Sequence, residues 1–309
     1  MTEGSSIQGS PSTRTSAFAD SVRSHVEKTV VGLDLVVERT LISLLTGGHL
    51  LLEGVPGTAK TLMVQSVAHA IELDFGRVQF TIDLLPSDIV GSEILDKDSG
   101  EFRIHKGPIF ANLLLADEIN RASPKVQSAL LEAMQERRVT IGDNTFSLPS
   151  PFLVIATQNP VEQAGTFELP EAQLDRFLMR HRLTYLDPED ETEVLRRALK
   201  LKLKRGDDGG AMPMTAFDAI EKTAPQSVAD LTSAMEQVLE VHVSEVFVRH
   251  CVDLVNRTRN HADIELGGSP RAGIALVTAS RARAYLHGRD YVVPEDIFAL
   301  AEDIVLHRI

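Results

Sequence analysis

Gly54-Val55-Pro56-Gly57-Thr58-Ala59-Lys60-Thr61 follows a short apolar run, Leu50-Leu51-Leu52, and opens a stretch with helical spacing, Thr61 to Leu73. A loop of small residues between a strand and a helix, ending in Lys-Thr, has the make-up of a phosphate cradle. Small side chains let backbone N–H groups come close to phosphate oxygens, and the following helix directs its N-terminus at the anion. In this reading Gly54, Val55, Pro56, Gly57, Thr58, Ala59 and Leu62 line the ligand. Lys60 supplies a point charge to the β/γ-phosphates, and the Thr61 hydroxyl ligates Mg²⁺. The generic pattern has glycine where this chain has Ala59; alanine is the least costly replacement if φ stays negative there. A glycine-rich turn that binds nothing is the competing reading, and the Lys-Thr register with its strand and helix weighs against it.

Working outward, short apolar runs alternate with helical patterns from about residue 30 to residue 186. Arg77 to Ile82, Asn112 to Asp117, Phe152 to Thr157 and, more weakly, His181 to Tyr185 read as strands; Lys125 to Arg137 reads as a helix. Strands alternating with helices predict a parallel sheet covered on both faces. Asp187-Pro188 breaks the pattern. Beyond it Glu189 to Lys204, Ser227 to Glu240, Ser244 to Arg259, Pro270 to His287 and Pro294 to Leu306 carry helical periodicity, with Gly206 to Gly210 as a loop. The expected fold is α/β, with a parallel-sheet nucleotide-binding core over 28–186 and an all-helical lid over 187–309. Residues 1–27 are expected to be a disordered or weakly structured leader, since Met1 to Ser16 is rich in Ser, Thr and Gly.

Leu113-Leu114-Leu115-Ala116-Asp117-Glu118 ends an apolar strand in two acids. Ligands bind at the carboxyl ends of parallel strands. Asp117 would hold Mg²⁺, directly or through water, and Glu118 would act as general base on the attacking water. A small-molecule kinase has no need of that second acid; a hydrolase does. Phe152 to Pro160 is a buried strand ending in Asn159, which could position the water or contact the γ-phosphate; a turn asparagine before proline is the bland alternative. Leu169 to Phe177 then carries Arg176, whose planar cation suits charge developing on a phosphoryl group. The alternative there is an Asp175 salt bridge beside an arginine on a solvated helix. Arg271 lies in the first turn of a predicted helix, where the helix dipole disfavours a cation unless a phosphate is near.

Bulk properties exclude several classes. A chain of 309 residues exceeds one compact core and suits two domains. A net charge of −13, no Trp and few aromatics disfavour nucleic acid as a partner. The single cysteine, Cys251, rules out an internal disulfide framework. No apolar run approaches the roughly 18 residues that span a bilayer, and no secretory signal is present, so a cytoplasmic protein is expected. The histidines are scattered without metal-site spacing.

The ordered motifs resemble those of AAA+ ATPases, and the finer match is to the MoxR branch. It rests on the loop Gly54 to Thr61, Asp83-Leu84-Leu85-Pro86-Ser87-Asp88-Ile89-Val90-Gly91, Gly107-Pro108-Ile109-Phe110, Asp117-Glu118-Ile119-Asn120-Arg121-Ala122, Ala156-Thr157-Gln158-Asn159-Pro160, and Leu169 to Phe177. The family tolerates alanine at the position of Ala59; Ile82, where relatives often carry Pro, is a minor departure. The resemblance implies Walker A and Walker B elements, sensor 1 at Asn159, sensor 2 at Arg271, and ATP with Mg²⁺ at the interfaces of a ring, commonly a hexamer. It implies an arginine finger from the neighbouring subunit, assigned to Arg176 with Arg180 as the less favoured choice, and Val31 and Gly32 against the adenine. Two inserts, Asp83 to Ile94 and the hairpin Val139 to Leu148, would face substrate. A chaperone-like remodelling or metal-insertion role, a protein client and a partner bearing a von Willebrand factor A domain are likewise implied. A nucleotide-gated scaffold with little turnover is the alternative.

Overall fold

The computed structural model describes residues 16–55, 57–96, 100–160, 165–205, 210–221 and 223–309. Helices α1 (Ala17–Glu27) and α2 (Asp34–Thr46) precede β1 (Leu50–Glu53), the glycine-rich loop and α3 (Lys60–Ala70). Next come β2 (Phe75–Gln79), a short α4 (Pro86–Val90), the hairpin β3 (Gly91–Leu95) and β4 (Phe102–Lys106), β5 (Leu113–Asp117) and α5 (Pro124–Glu136). A second hairpin, β6 (Arg138–Ile141) and β7 (Asn144–Ser147), leads to β8 (Leu153–Gln158), α6 (Glu171–Leu174) and β9 (Met179–Arg182). The remainder comprises α7 (Pro188–Leu199), strands β10 (Leu203–Arg205) and β11 (Ala211–Pro213), then α8 (Val228–Glu240), α9 (Glu245–Arg259), α10 (Pro270–Leu286) and α11 (Pro294–Val305).

The main sheet has the order β2-β5-β8-β1-β9, with all pairs parallel. Its central strands are apolar on both faces because both are covered. Leu50, Leu52, Leu113, Leu115, Leu153 and Ile155 enter one core with α1, α2, α3 and the lid helices. Leu51, Leu114, Ala116, Val154 and Ala156 enter a second core, with Val126, Leu130 and Met134 of α5. Core and lid therefore share one apolar cluster through α2, whose buried stretch runs from Val36 to Leu45.

That burial includes two charges, Glu38 and Arg39. Arg39 Nε donates to Asp303 on α11 at 2.6 Å, and Asp303 also contacts His181 on β9 at 2.9 Å. Burial works against ionisation of Glu38, yet the His287 hydrogen bond with Arg39 and Arg283 brings its carboxyl down to about 2. Paired charges of this kind tie α2, β9 and the lid into one geometry.

Two expectations need correction. The stretch expected as a weak leader contains α1, capped by Ser16 and burying Phe18, Ala19, Val22, His25 and Val26. Phe18, Val22 and Val26 recur at a spacing of four and give the helix one apolar face. Residues 1–15 lie outside the described residues. The lid is also not wholly helical: α7 stops at Leu199, and the antiparallel pair β10–β11 follows. Leu201-Lys202-Leu203-Lys204 alternates with period two, which suits a strand better than the helical continuation expected there.

Candidate functional site

The carboxyl ends of β1, β5 and β8 open into a cleft of about 420 Å³ lined by Gly54, residues 57–62, Arg77, Asp117, Glu118, Thr157, Gln158, Asn159 and Phe217. Helix α3 begins there with neither a side-chain cap nor an acid in its first turn. By contrast, Ser16, Ser227, Ser244 and Ser269 cap α1, α8, α9 and α10. The first N–H groups of α3 thus lack a side-chain acceptor, the condition that suits a bound anion. Lys60 Nζ donates to the carbonyls of Gly54 at 2.9 Å and Val55 at 3.3 Å, which holds it inside the loop. Burial pulls its pKa below the ordinary lysine value, and Asp117 and Glu118 oppose that shift.

Two loop residues adopt left-handed backbone conformations, Gly57 at φ +85° and Ala59 at φ +53°. The condition attached to Ala59, a negative φ, is not met. Alanine occupies a conformation that costs an L-residue about 1–2 kcal/mol. Pro56 lies outside the described residues.

The acidic pair is engaged by a set of donors. Thr157 on β8 donates its hydroxyl proton to Asp117 Oδ1 at 2.7 Å and accepts the Glu118 N–H at 2.8 Å. Arg77 on β2 reaches Asp117 Oδ2 at 2.8 Å. Gln79, two residues further along the same strand, donates to Glu118 Oε2 at 2.8 Å, and Arg121 Nη1 meets that oxygen at 3.1 Å. Glu118 itself sits at φ +59° and ψ 50°, a costly position for a non-glycine residue and one met at functional sites. Thr61 and Asp117 line the same cleft, so a hydroxyl and a carboxylate suited to a hard divalent cation are brought together. Asn159 is buried and lines it too.

A second cavity, of about 510 Å³, adjoins the first through Gly57, Thr58, Ala59 and Leu62. Its other walls are largely apolar: Val30, Val31 and Leu33, then Leu186, and Val194, Leu195 and Ala198 of α7. The loop thus separates a polar cleft from an apolar one, the shape that suits a ligand with an anionic tail and a flat base. Val31 lines this cavity; Gly32 does not. Gly32 has φ +70° and backs onto α7, where a Cβ would collide with the Asp190 carboxylate.

None of the three assigned arginines lines either cleft. Arg176 is exposed and lines neither cleft; it borders a groove with Gln173 and with Ser128, Glu132 and Glu136 of α5. Arg271, expected beside the phosphates, is also absent from both linings, and its guanidinium lies 3.6 Å from Asp175. Helix α10 carries Arg271 to the edge that bears Arg176, because Ser269 at its N-cap also donates to Asp175, at 3.2 Å. The Asp175 salt bridge weighed as an alternative at the sequence level is therefore present, with Arg308 at 2.8 Å as its main partner. Arg180 is held within its own chain by Glu53 at 2.5 Å, and Arg182 meets the same carboxylate at 3.1 Å.

Arg77, Gln79, Arg121, Thr157 and Arg308 had no assigned role in the sequence. The alternation of Arg77 and Gln79 on one strand face was a usable signal, as was the three-residue spacing of Glu118 and Arg121. Nothing local marked Arg308.

A five-stranded parallel sheet, a phosphate-type loop at its carboxyl edge and an appended helical lid define a P-loop nucleotide-binding module of the AAA type. The family model described as "ATPase family associated with various cellular activities (AAA)" matches residues 49–179, and the AAA lid domain matches residues 256–309. The chain is 44% identical over 293 residues to chaperone MoxR1 of Mycobacterium tuberculosis, covering 92% of this chain and 73% of that protein. It is 32% identical over 302 residues to protein MoxR of Methylorubrum extorquens, covering 92% and 85%. A 2.00 Å crystal structure from Cytophaga hutchinsonii, of a protein whose ATPase designation is itself provisional, superposes with a TM-score of 0.82 at 45% identity, covering 94% and 88%. The chain belongs to the MoxR family of AAA+ ATPases. Among the described residues no helix is long and apolar enough to cross a membrane.

Proposed function

We propose that the protein hydrolyses ATP at sites shared between adjacent copies in a ring, and uses the cycle to remodel a protein client in the cytoplasm. One observation carries this reading: Lys60, Thr61, Asp117, Glu118 and Asn159 converge on one cleft, whereas Arg176 and Arg271 lie outside it on a separate edge. The arginines at the cleft, Arg77 and Arg121, are paired with Asp117 and Glu118, so a cation for the transferred group would come from a second copy.

In this reading the base of ATP occupies the apolar cavity against Val31, and its phosphates lie along the loop. Lys60 leaves the Gly54 and Val55 carbonyls for the terminal phosphates. Thr61 and Asp117 would hold Mg²⁺, which would supply positive charge beside the phosphate oxygens. Glu118 exchanges Gln79 and Arg121 for the attacking water and takes its proton; Asn159 orients that water. Arg176 of the neighbouring subunit, with Arg271 beside it, neutralises charge developing on the transferred group. The name of the relative MoxR1 supports a chaperone-like outcome. The family resemblance alone supports a hexameric ring, a partner with a von Willebrand factor A domain and a metal-insertion role. A scaffold with little turnover is favoured by one feature only, the engagement of Glu118 by Gln79 and Arg121.

The test is steady-state ATP hydrolysis against protein concentration, native beside Arg176→Ala, with mass followed by light scattering. Specific activity is expected to rise with assembly, and to fall about 10³–10⁵-fold in the variant while nucleotide binding survives. Turnover independent of both concentration and the substitution sinks the shared-site reading. Negligible turnover in an assembled native ring would select the scaffold.

A further inference from the structure

Arg308, just beyond α11, is almost wholly buried, with 3% of its side chain exposed. Its Nε donates to Asp175 Oδ1 at 2.8 Å and its Nη1 to the Leu178 carbonyl at 3.2 Å. Nη2 donates to the Phe177 carbonyl, and Nη1 also meets the Ile304 carbonyl at the end of α11. His307 adds a contact from Nε2 to the Phe177 carbonyl at 3.3 Å. From the other side Ser269 donates to Asp175 at 3.2 Å, and Arg271 lies 3.6 Å away. The segment 175–178 is thus gripped by two parts of the lid, the start of α10 and the turn that follows α11. The one side chain in that segment left exposed is Arg176.

Burying a guanidinium is costly, and an apolar side chain of similar volume would serve stability as well or better. What a guanidinium supplies and a hydrocarbon cannot is a rigid fork of donors that sets backbone position. We propose that Arg308 and Asp175 are positioning residues for the finger, through which the lid of one subunit sets the arginine offered to the next subunit's nucleotide. This rests on the reading that Arg176 acts in trans. Each lid then has two roles, since it closes over its own nucleotide and also aims the cation used by its neighbour. A shift of the lid after hydrolysis in one subunit would then alter catalysis in the adjacent one.

Two conservative variants test it. Arg308→Lys keeps the charge and loses the fork, and Asp175→Asn keeps the shape and loses the charge. Thermal melting and binding of a fluorescent ATP analogue establish that each is folded with a working cleft. Turnover of each alone is expected to fall about 100-fold, the scale set by misplacing a catalytic group by around 1 Å. Each is then mixed in equal amounts with Glu118→Gln, which has a dead site and an intact finger. At junctions where Glu118→Gln donates to a variant subunit, both halves are sound, so activity is expected to return. An Arg176→Ala mixture with Glu118→Gln runs in parallel. If that control regains activity and the Arg308→Lys and Asp175→Asn mixtures do not, their defect lies in their own sites and the proposal is wrong. Native turnover of either variant alone also overturns it. If the Arg176→Ala control fails to recover, the finger assignment itself falls, and this proposal with it.

Discussion

The loop edge and the arginine edge of this molecule are built on opposite plans. At the loop edge Lys60, Thr61, Asp117, Glu118 and Asn159 reach one cleft from three parallel strands and a helix start. At the arginine edge Arg271 and Arg308 both meet Asp175, and Arg176 is left exposed beside a groove that borders α5, away from the cleft. The difference teaches that one chain can gather its phosphate-type loop and acids in one cleft and still hold an arginine apart from them, which is the arrangement the proposed shared site requires. Partnered charge surrounds both; at the loop edge α3 starts with neither a side-chain cap nor an acid in its first turn, whereas Ser269 caps α10 at the arginine edge.

The largest expected effect that sharpens this contrast is at Glu118. Glu118→Gln should retain ATP binding and lose about 10²–10⁴-fold in turnover, as expected for removal of a general base. Binding titration beside single-turnover hydrolysis separates the two, and a native hydrolysis rate would remove Glu118 from the mechanism. A smaller effect distinguishes the two arginines of the second edge. Arg180 is committed to Glu53 in its own chain, so Arg180→Ala should cost stability, though less than the roughly 3 kcal/mol of a buried charge left unpaired because Arg182 still meets Glu53, with turnover per folded ring falling far less than for Arg176→Ala. Chemical denaturation alongside the ATPase assay checks this; a collapse of turnover without loss of stability would exchange their roles. The smallest effect concerns Ala59. Ala59→Gly relieves about 1–2 kcal/mol of left-handed strain and adds about 0.4–1 kcal/mol of entropy to the unfolded chain. A net gain of roughly 0.5–1 kcal/mol is expected. A destabilised variant would mean that the loop tolerates alanine there without strain.

How much was legible follows from where each signal is stored. The α/β core, the helices α8 to α11 and the loop residues were readable because periodicity and motif spacing are local properties. The strand ends were readable to within a few residues, since Phe75–Gln79 forms where Arg77 to Ile82 was expected. Helix α1 was hidden beside a Ser/Thr-rich stretch whose composition resembles a tail. The strand β10 was hidden by a helix pattern that ran into it. The partners Arg77, Gln79 and Thr157 were quoted in strands yet left without roles, because only parallel register brings Gln79 level with Asp117. The contact of Arg271 with Asp175 was hidden for a related reason: a helix start can be read locally, but the direction in which the lid carries it cannot.

By itself the sequence determined the chemistry available to this protein: a phosphate-type loop, an acidic pair at a strand end, a polar residue ending the next strand and arginines beyond it. These depend on residue types at short separations, where one helix turn or one strand pleat relates them. The tertiary structure alone decided which of them share a cleft. It joined β2 to β5 across 38 residues of chain between Phe75 and Leu113, and Arg308 to Asp175 across 133, so that one set of side chains faces its own nucleotide cleft and another faces outward. Contacts at such separations depend on how layers stack and how strands register, which hydrophobic burial over the whole core selects and no local pattern encodes.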